Sequence, residues 1–137
     1  VRFVVATDDD VAVVGAVEAT LRSAGHEVVR LAAGAWGPVA VEAARRVASG
    51  AADHAVVLCF TGTGVAMAAN KVPGVRAALC VDAATAAGAR RWNDANVLAL
   101  SLRLLTETLA REILEAWLGG AYGGTETESL TAMDALS

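Results

Sequence analysis

The sequence predicts an α/β fold: a three-layer α/β/α sandwich with a five-stranded parallel, Rossmann-like sheet. Three observations predict it. Short β-branched runs alternate five times with longer, alanine-rich amphipathic stretches. The runs are continuously apolar rather than alternating, as in Val56-Val57-Leu58, which suits strands covered on both faces. The length of 137 residues fits one core, with no internal repeat.

The first strand is expected at 2–6, followed by a helix at 12–24 whose Val13, Val14, Val17 and Leu21 recur at spacings of three and four. Gly25 closes that helix as a C′ glycine, and Glu27 opens a second strand at 27–31. The loop 31–37 leads to a helix at 38–49, where Pro38 takes an early position that needs no N–H. A third strand is expected at 55–60 and a helix at 64–70, then a strand at 76–80 and a helix at 83–91. The last strand, 97–100, precedes a helix at 106–118 with Thr106 as its cap and Leu109, Ile113, Leu114 and Trp117 on its apolar face. Residues 1–118 form the domain. The glycine-rich stretch 119–124 opens a loosely ordered tail, 119–137, expected to rest on a partner subunit.

Composition excludes several function classes. Net charge is −4, with a pI near 5.1. Lys71 is the only lysine and the arginines are scattered, so no clustered basic surface for nucleic acid is expected. Hydrophobic content is 55% and mean hydropathy +0.49, yet much of this is alanine. No stretch approaches the ~18 to 20 uninterrupted apolar residues of a membrane span. No basic region or cleavage site precedes the first strand, so no secretory leader is expected. The two cysteines, Cys59 and Cys80, lie inside expected strands without metal-ligand spacing, which fits a reducing, cytoplasmic setting.

Active groups in parallel α/β folds gather at the carboxyl ends of strands. The most suggestive of these ends is Cys59-Phe60-Thr61-Gly62-Thr63-Gly64, where a buried strand turns through two glycines into a helix. Such a turn lets amide N–H groups crowd together at a positive helix start, a cradle for a phosphate or for a developing oxyanion. It lacks the Gly-Lys-Ser/Thr ending of a phosphate loop. Taken alone, a strand cysteine is more often an inert small hydrophobe than a catalyst.

Running on through Ala68-Ala69-Asn70-Lys71-Val72-Pro73-Gly74-Val75-Arg76, Asn93-Asp94-Ala95-Asn96-Val97 and Ala116-Trp117-Leu118, the chain resembles the type B ribose-5-phosphate isomerases and galactose-6-phosphate isomerases. The resemblance implies aldose–ketose isomerisation through an enediolate, with no metal or organic cofactor. It also implies a homodimer or homotetramer whose sites draw residues from two subunits. Cys59 matches the family's cysteine base. A thiol acts as base only as thiolate, which an ordinary pKa of about 8.5 does not favour at neutral pH, so the site must supply positive potential. Thr61 matches a small hydroxyl beside that base, and Gly62, Thr63 and Gly64 match the oxyanion-stabilising loop. Asp8 and Asn93 match groups that contact substrate hydroxyls, and Arg103 is in register for the phosphate.

Departures from the family pattern stand beside these matches. The first strand of relatives ends Ser-Asp-His-Ala-Gly, where this chain has Thr7-Asp8-Asp9-Asp10-Val11; Asp9 replaces a phosphate-binding histidine. Trp92 occupies the place of the histidine that opens the sugar ring, and an indole transfers no proton near neutral pH. The tail carries Glu126 and Glu128 where relatives carry basic residues.

The default expectation is interconversion of ribose 5-phosphate and ribulose 5-phosphate. The alternatives are an isomerase of an open-chain or non-phosphorylated sugar, and a non-catalytic binding protein on the same fold. Among other residues, Cys80 and Trp117 are expected in the core, and His26 and His54 away from the reactive rim. Arg90 and Arg91 are expected on a helix surface, and the Asp8-Asp9-Asp10 run is read as a solvated turn rather than a metal site. Trp36 and Trp92 each divide evenly between packing and stacking on a sugar.

Overall fold

The computed structural model describes residues 1–136. Its elements follow the expected alternation: β1 (Arg2–Thr7), α1 (Ala12–Ser23), β2 (Glu27–Arg30), α2 (Trp36–Ala48), β3 (His54–Cys59) and α3 (Thr63–Asn70). They continue with β4 (Ala77–Leu79), α4 (Ala83–Asn93), β5 (Val97–Ser101), α5 (Glu107–Leu118) and α6 (Thr127–Asp134). All five strands are parallel, in the order β2-β1-β3-β5-β4.

That order places the most apolar strands centrally. Every residue of β5 is buried, whereas β4 is three residues long and only half-buried. β5 therefore inserts between β3 and β4, although β4 comes first in the chain. The direction of chain winding reverses between β1 and β3, and the crevice at their carboxyl ends is where such sheets bind ligands.

Alternate strand residues feed two cores. Phe3, Val5, Val56, Leu58, Leu98 and Leu100 face α1, α4 and α5, where Ile113, Leu114 and Trp117 complete a core of large side chains. Val4, Ala6, Ala55, Val57, Cys59 and Ala99 face α2 and α3, which answer with Ala40, Ala43, Ala44, Val65 and Ala69. Small side chains on both partners let α2 and α3 lie close to the sheet and to each other. Cys59 belongs to this small-residue side, and Cys80 to the other.

Capping explains three of the helix ends. Thr106 Oγ1 accepts from the Leu109 amide at 3.1 Å, as its sequence position predicts, and Asp82 caps α4 through the Thr85 amide at 2.7 Å. Gly25 follows α1 with φ of +90°. α2 starts at Trp36 rather than Pro38, so Trp36 belongs to a helix and not to the preceding loop, and Pro38 is its third residue.

The tail is a second correction. Instead of a loosely ordered segment, residues 127–134 form a helix. Beyond the glycines of 119–124 the sequence has no glycine or proline, and Leu130 and Met133 are spaced for one helical face. No residue of α6 is buried; Asp134 fastens it to Arg76 at 3.1 Å. Among the described residues, no helix is long and apolar enough to cross a membrane.

Candidate active site

The carboxyl ends of β1, β3 and β5 are stitched together by backbone hydrogen bonds. The Asp8 amide donates to the Leu58 carbonyl at 3.2 Å, the Leu102 amide to Cys59 at 2.9 Å, and the Arg103 amide to Phe60 at 2.8 Å. Cys59 pairs in register with Ser101, whose hydroxyl donates to the Phe60 carbonyl at 3.1 Å. One edge of the sheet therefore gathers Asp8, Asp9, Cys59, Thr61, Gly62, Thr63, Gly64 and Arg103. Ser101 and Thr7 were not singled out by sequence; their only signal was a small hydroxyl residue ending an apolar strand.

The turn after Cys59 leads directly into α3. Gly62 adopts φ of +79° and is the residue before α3, with no side chain capping the helix. A Cβ at Gly62 would lie 2.5 Å from Leu79 Cδ1 and 2.9 Å from the Leu100 carbonyl carbon, so both its conformation and its surroundings demand glycine. The first amides of α3 have no acceptor within the helix and carry its positive end. The hydroxyls of Thr61 and Thr63 lie 2.7 Å apart beside them. Cys59 itself is 5% exposed and packs in the small-residue core at the end of β3.

The three aspartates do different things. Thr7 Oγ1 donates to the Asp9 carbonyl at 2.8 Å and accepts from the Asp9 amide at 3.2 Å, folding the strand end into a tight turn. Asp10 is taken by an ion pair with Arg30. Asp8 keeps one carboxylate oxygen, Oδ1, buried with no hydrogen-bond partner, an acceptor that a ligand hydroxyl would satisfy. The run is therefore a turn, with only Asp8 turned inward. Arg103 is exposed and, among the described residues, pairs with no carboxylate.

Trp92 and Asn93 lie elsewhere. α4 starts at the carboxyl edge and runs back along the sheet; its 11 residues span about 16 Å, so its end reaches the opposite edge. There Trp92 lies across Gly88 with 53% of its surface exposed. A cavity of about 520 Å³ at that edge includes Asn93 but none of the other predicted site residues. Its arginine, Arg76, is already neutralised by Asp94 at 2.8 Å and Asp134 at 3.1 Å. At the carboxyl edge, by contrast, Asp8 Oδ1 is buried without a partner and Arg103 is unpaired among the described residues.

Cys80 serves as an internal contrast. It packs in the large-residue core, and burial pushes its thiol pKa up to about 11. His54 opens β3 at the far edge, stacked on Phe3 at 5.3 Å and edge-on to Trp117 at 5.9 Å. Neither lies among the residues gathered at the carboxyl ends of β1, β3 and β5.

The model of the ribose/galactose isomerase family matches residues 3–133, nearly the whole chain. The chain belongs to that family. Among the family's members, it is 40% identical over 98 residues to ribose-5-phosphate isomerase B of Escherichia coli, covering 71% of this chain and 66% of that protein. It is 42% identical over 86 residues to D-erythrulose-4-phosphate isomerase of Pectobacterium atrosepticum, covering 63% and 57%. The matched stretch is thus less than two thirds of either relative's own length. Over the whole fold it superimposes on the type B ribose 5-phosphate isomerase of Trypanosoma brucei with a TM-score of 0.91, at 34% identity, covering 99% of this chain and 98% of that one. The isomerase fold and the parallel sheet expected from sequence are both present.

Proposed function

We propose that this chain is a cofactor-free aldose–ketose isomerase of sugar phosphates, with ribose 5-phosphate and ribulose 5-phosphate as its default pair. The observation that carries this is the juxtaposition of the Cys59 strand end with an uncapped amide cradle and an unsatisfied Asp8 oxygen. In this mechanism the Cys59 thiolate removes the proton from C2 of the aldose. The C–H electrons form the C1–C2 double bond, and charge develops on O1 against the first amides of α3. Cys59 then returns the proton to C1, while a proton passes from O2 to O1 through the Thr61 and Thr63 hydroxyls. Asp8 accepts from a substrate hydroxyl, and Arg103 meets the phosphate.

Trp92 and Asn93 cannot reach Cys59 within one chain, so a homodimer or homotetramer in which a second copy supplies them completes the proposed site. Nothing in this scheme requires a metal or nucleic acid, and the chemistry suits a cytoplasmic enzyme.

Carbon-bound proton exchange in heavy water, followed over a panel of tetrose, pentose and hexose phosphates and their free sugars, tests the assignment. Exchange is expected, and it should fall about 10²- to 10⁴-fold in Cys59→Ala. No exchange with any compound, or full exchange in Cys59→Ala, sinks the assignment.

Trp92 favours a second reading, in which the substrate is already open-chain. A four-carbon ketose phosphorylated on O4 has no hydroxyl placed to close a five-membered ring, so it needs no ring-opening acid. The similarity to a D-erythrulose-4-phosphate isomerase supports this reading. A kcat/KM for tetrose phosphate well above that for ribose 5-phosphate would select it; exchange confined to unphosphorylated sugars would point instead to the acidic tail as the determinant.

A further inference from the structure

The contact between Trp36 and Gly64 is not explained by core packing. Gly64 is an ordinary helical residue of α3, so its backbone does not demand glycine. What excludes a side chain is the Trp36 ring: a Cβ at Gly64 would lie 2.9 Å from Cε3, 3.0 Å from Cδ2 and 3.1 Å from Cζ3. The benzo half of the indole is therefore seated on the backbone whose amides form the cradle. The rest of the ring is not buried, since Trp36 remains 50% exposed.

Position places this ring near the carboxyl ends of β1 and β3. Trp36 opens α2, which packs beside α3 on the face that contains Cys59. The loop before it crosses the end of β1, where the Gly34 amide donates to the Thr7 carbonyl at 3.4 Å, one residue from Asp8. An aromatic surface between the Asp8 turn and the Gly64 amides presents a flat apolar face to whatever carbon chain lies between them.

We infer that Trp36 is the wall of the reaction crevice and a specificity-determining residue. It touches the C–H face of the bound sugar chain and keeps water away from the Cys59 thiol and the cradle. The inference rests on the isomerase assignment above for its substrate, but its geometry is testable without activity. By excluding water, the wall strengthens each amide interaction with a developing oxyanion. By contacting carbon rather than oxygen, it selects chain length and not hydroxyl configuration.

The test compares Trp36→Ala, Trp36→Phe and Gly64→Ala with the unaltered full chain. Alkylation of Cys59 by iodoacetamide is followed by peptide mass spectrometry, with Cys80 as internal control. Trp36→Ala should speed Cys59 alkylation about tenfold and leave Cys80 unchanged; Gly64→Ala, which pushes the ring from its seat, should act in the same direction. Trp36→Phe should stay within about twofold of the unaltered protein, because a flat apolar face remains. In turnover, Trp36→Ala should raise KM about tenfold with a smaller change in kcat.

Equal Cys59 rates in all four proteins overturn the wall, as does a parallel rise at Cys80, which reports general loosening. Dissociation of the oligomer by Trp36→Ala also overturns it, since the ring would then be an interface residue. If the alkylation pattern appears but no sugar phosphate exchanges its proton, the wall stands and the isomerase assignment falls.

Discussion

At the scale of single residues, the glycines of this chain are not equivalent. Gly62 combines a left-handed φ with neighbours at 2.5 and 2.9 Å, whereas Gly74 has φ of +85° but open space around it. Gly62→Ala is expected to cost more than about 2 kcal/mol, adding steric displacement to backbone strain, and Gly74→Ala only about 1 kcal/mol. Urea unfolding midpoints of the two variants measure the difference.

His54 offers a pH prediction at the same scale. Its pKa is lowered to about 4, first by burial and then by the nearby Arg90 charge. The unfolded chain protonates near 6.5 while the folded chain does not, so stability is full above pH 6.5 and declines as pH falls toward 4. The loss at pH 5 is about 1 kcal/mol, discounted for partial exposure of the ring. His54→Phe, which keeps the stack on Phe3, should flatten the difference between pH 7 and pH 5 unfolding curves.

At the scale of elements, the sheet's short edge strand is guarded by side chains. Asn70 Nδ2 donates to the Ala77 carbonyl at 2.9 Å, and its Oδ1 accepts from the Ala77 amide at 2.8 Å, as a neighbouring strand would. On the paired side, Asn96, just before β5, accepts from the Arg76 amide at 2.8 Å and donates to the Gly74 carbonyl at 3.1 Å. β4 is thus held from both sides, and Asn70 shields its open edge from pairing with another chain. Asn70→Ala should cost about 1 kcal/mol for two lost, partly exposed hydrogen bonds and should hasten aggregation on warming. Light scattering beside the thermal midpoint reads both; unchanged scattering would show that the edge needs no guard.

The whole molecule sets the two groups of predicted site residues at opposite edges of one sheet. The proposed shared site makes a distinctive demand: Cys59→Ala and Asn93→Ala, each inactive alone, should complement when mixed. A hybrid dimer carries one site with both lesions and one with neither. Random reassociation then restores roughly a quarter of full activity. No recovery after confirmed subunit exchange would place Asn93 and Cys59 in one chain's site, or Asn93 in none.

The alternation of strands and helices, the parallel three-layer class, the Gly25 and Thr106 helix ends, and the cysteine–glycine turn were all legible in the residues. These are local properties: hydrophobic period, capping chemistry and turn residues act over a few positions. The assembled fold settled that β5 lies inside β4, because that depends on which strand is more apolar on both faces. It also decided that Cys59 and Cys80 lie on opposite faces of the sheet, since strand alternation assigns each thiol a face only once the sheet exists. The helix at 127–134 was masked by the glycines before it, and the seat of Trp36 on Gly64 joins positions 28 residues apart that no local pattern connects. Contacts of that range are chosen by competition for burial among all the elements, and a short stretch of residues carries no record of the outcome.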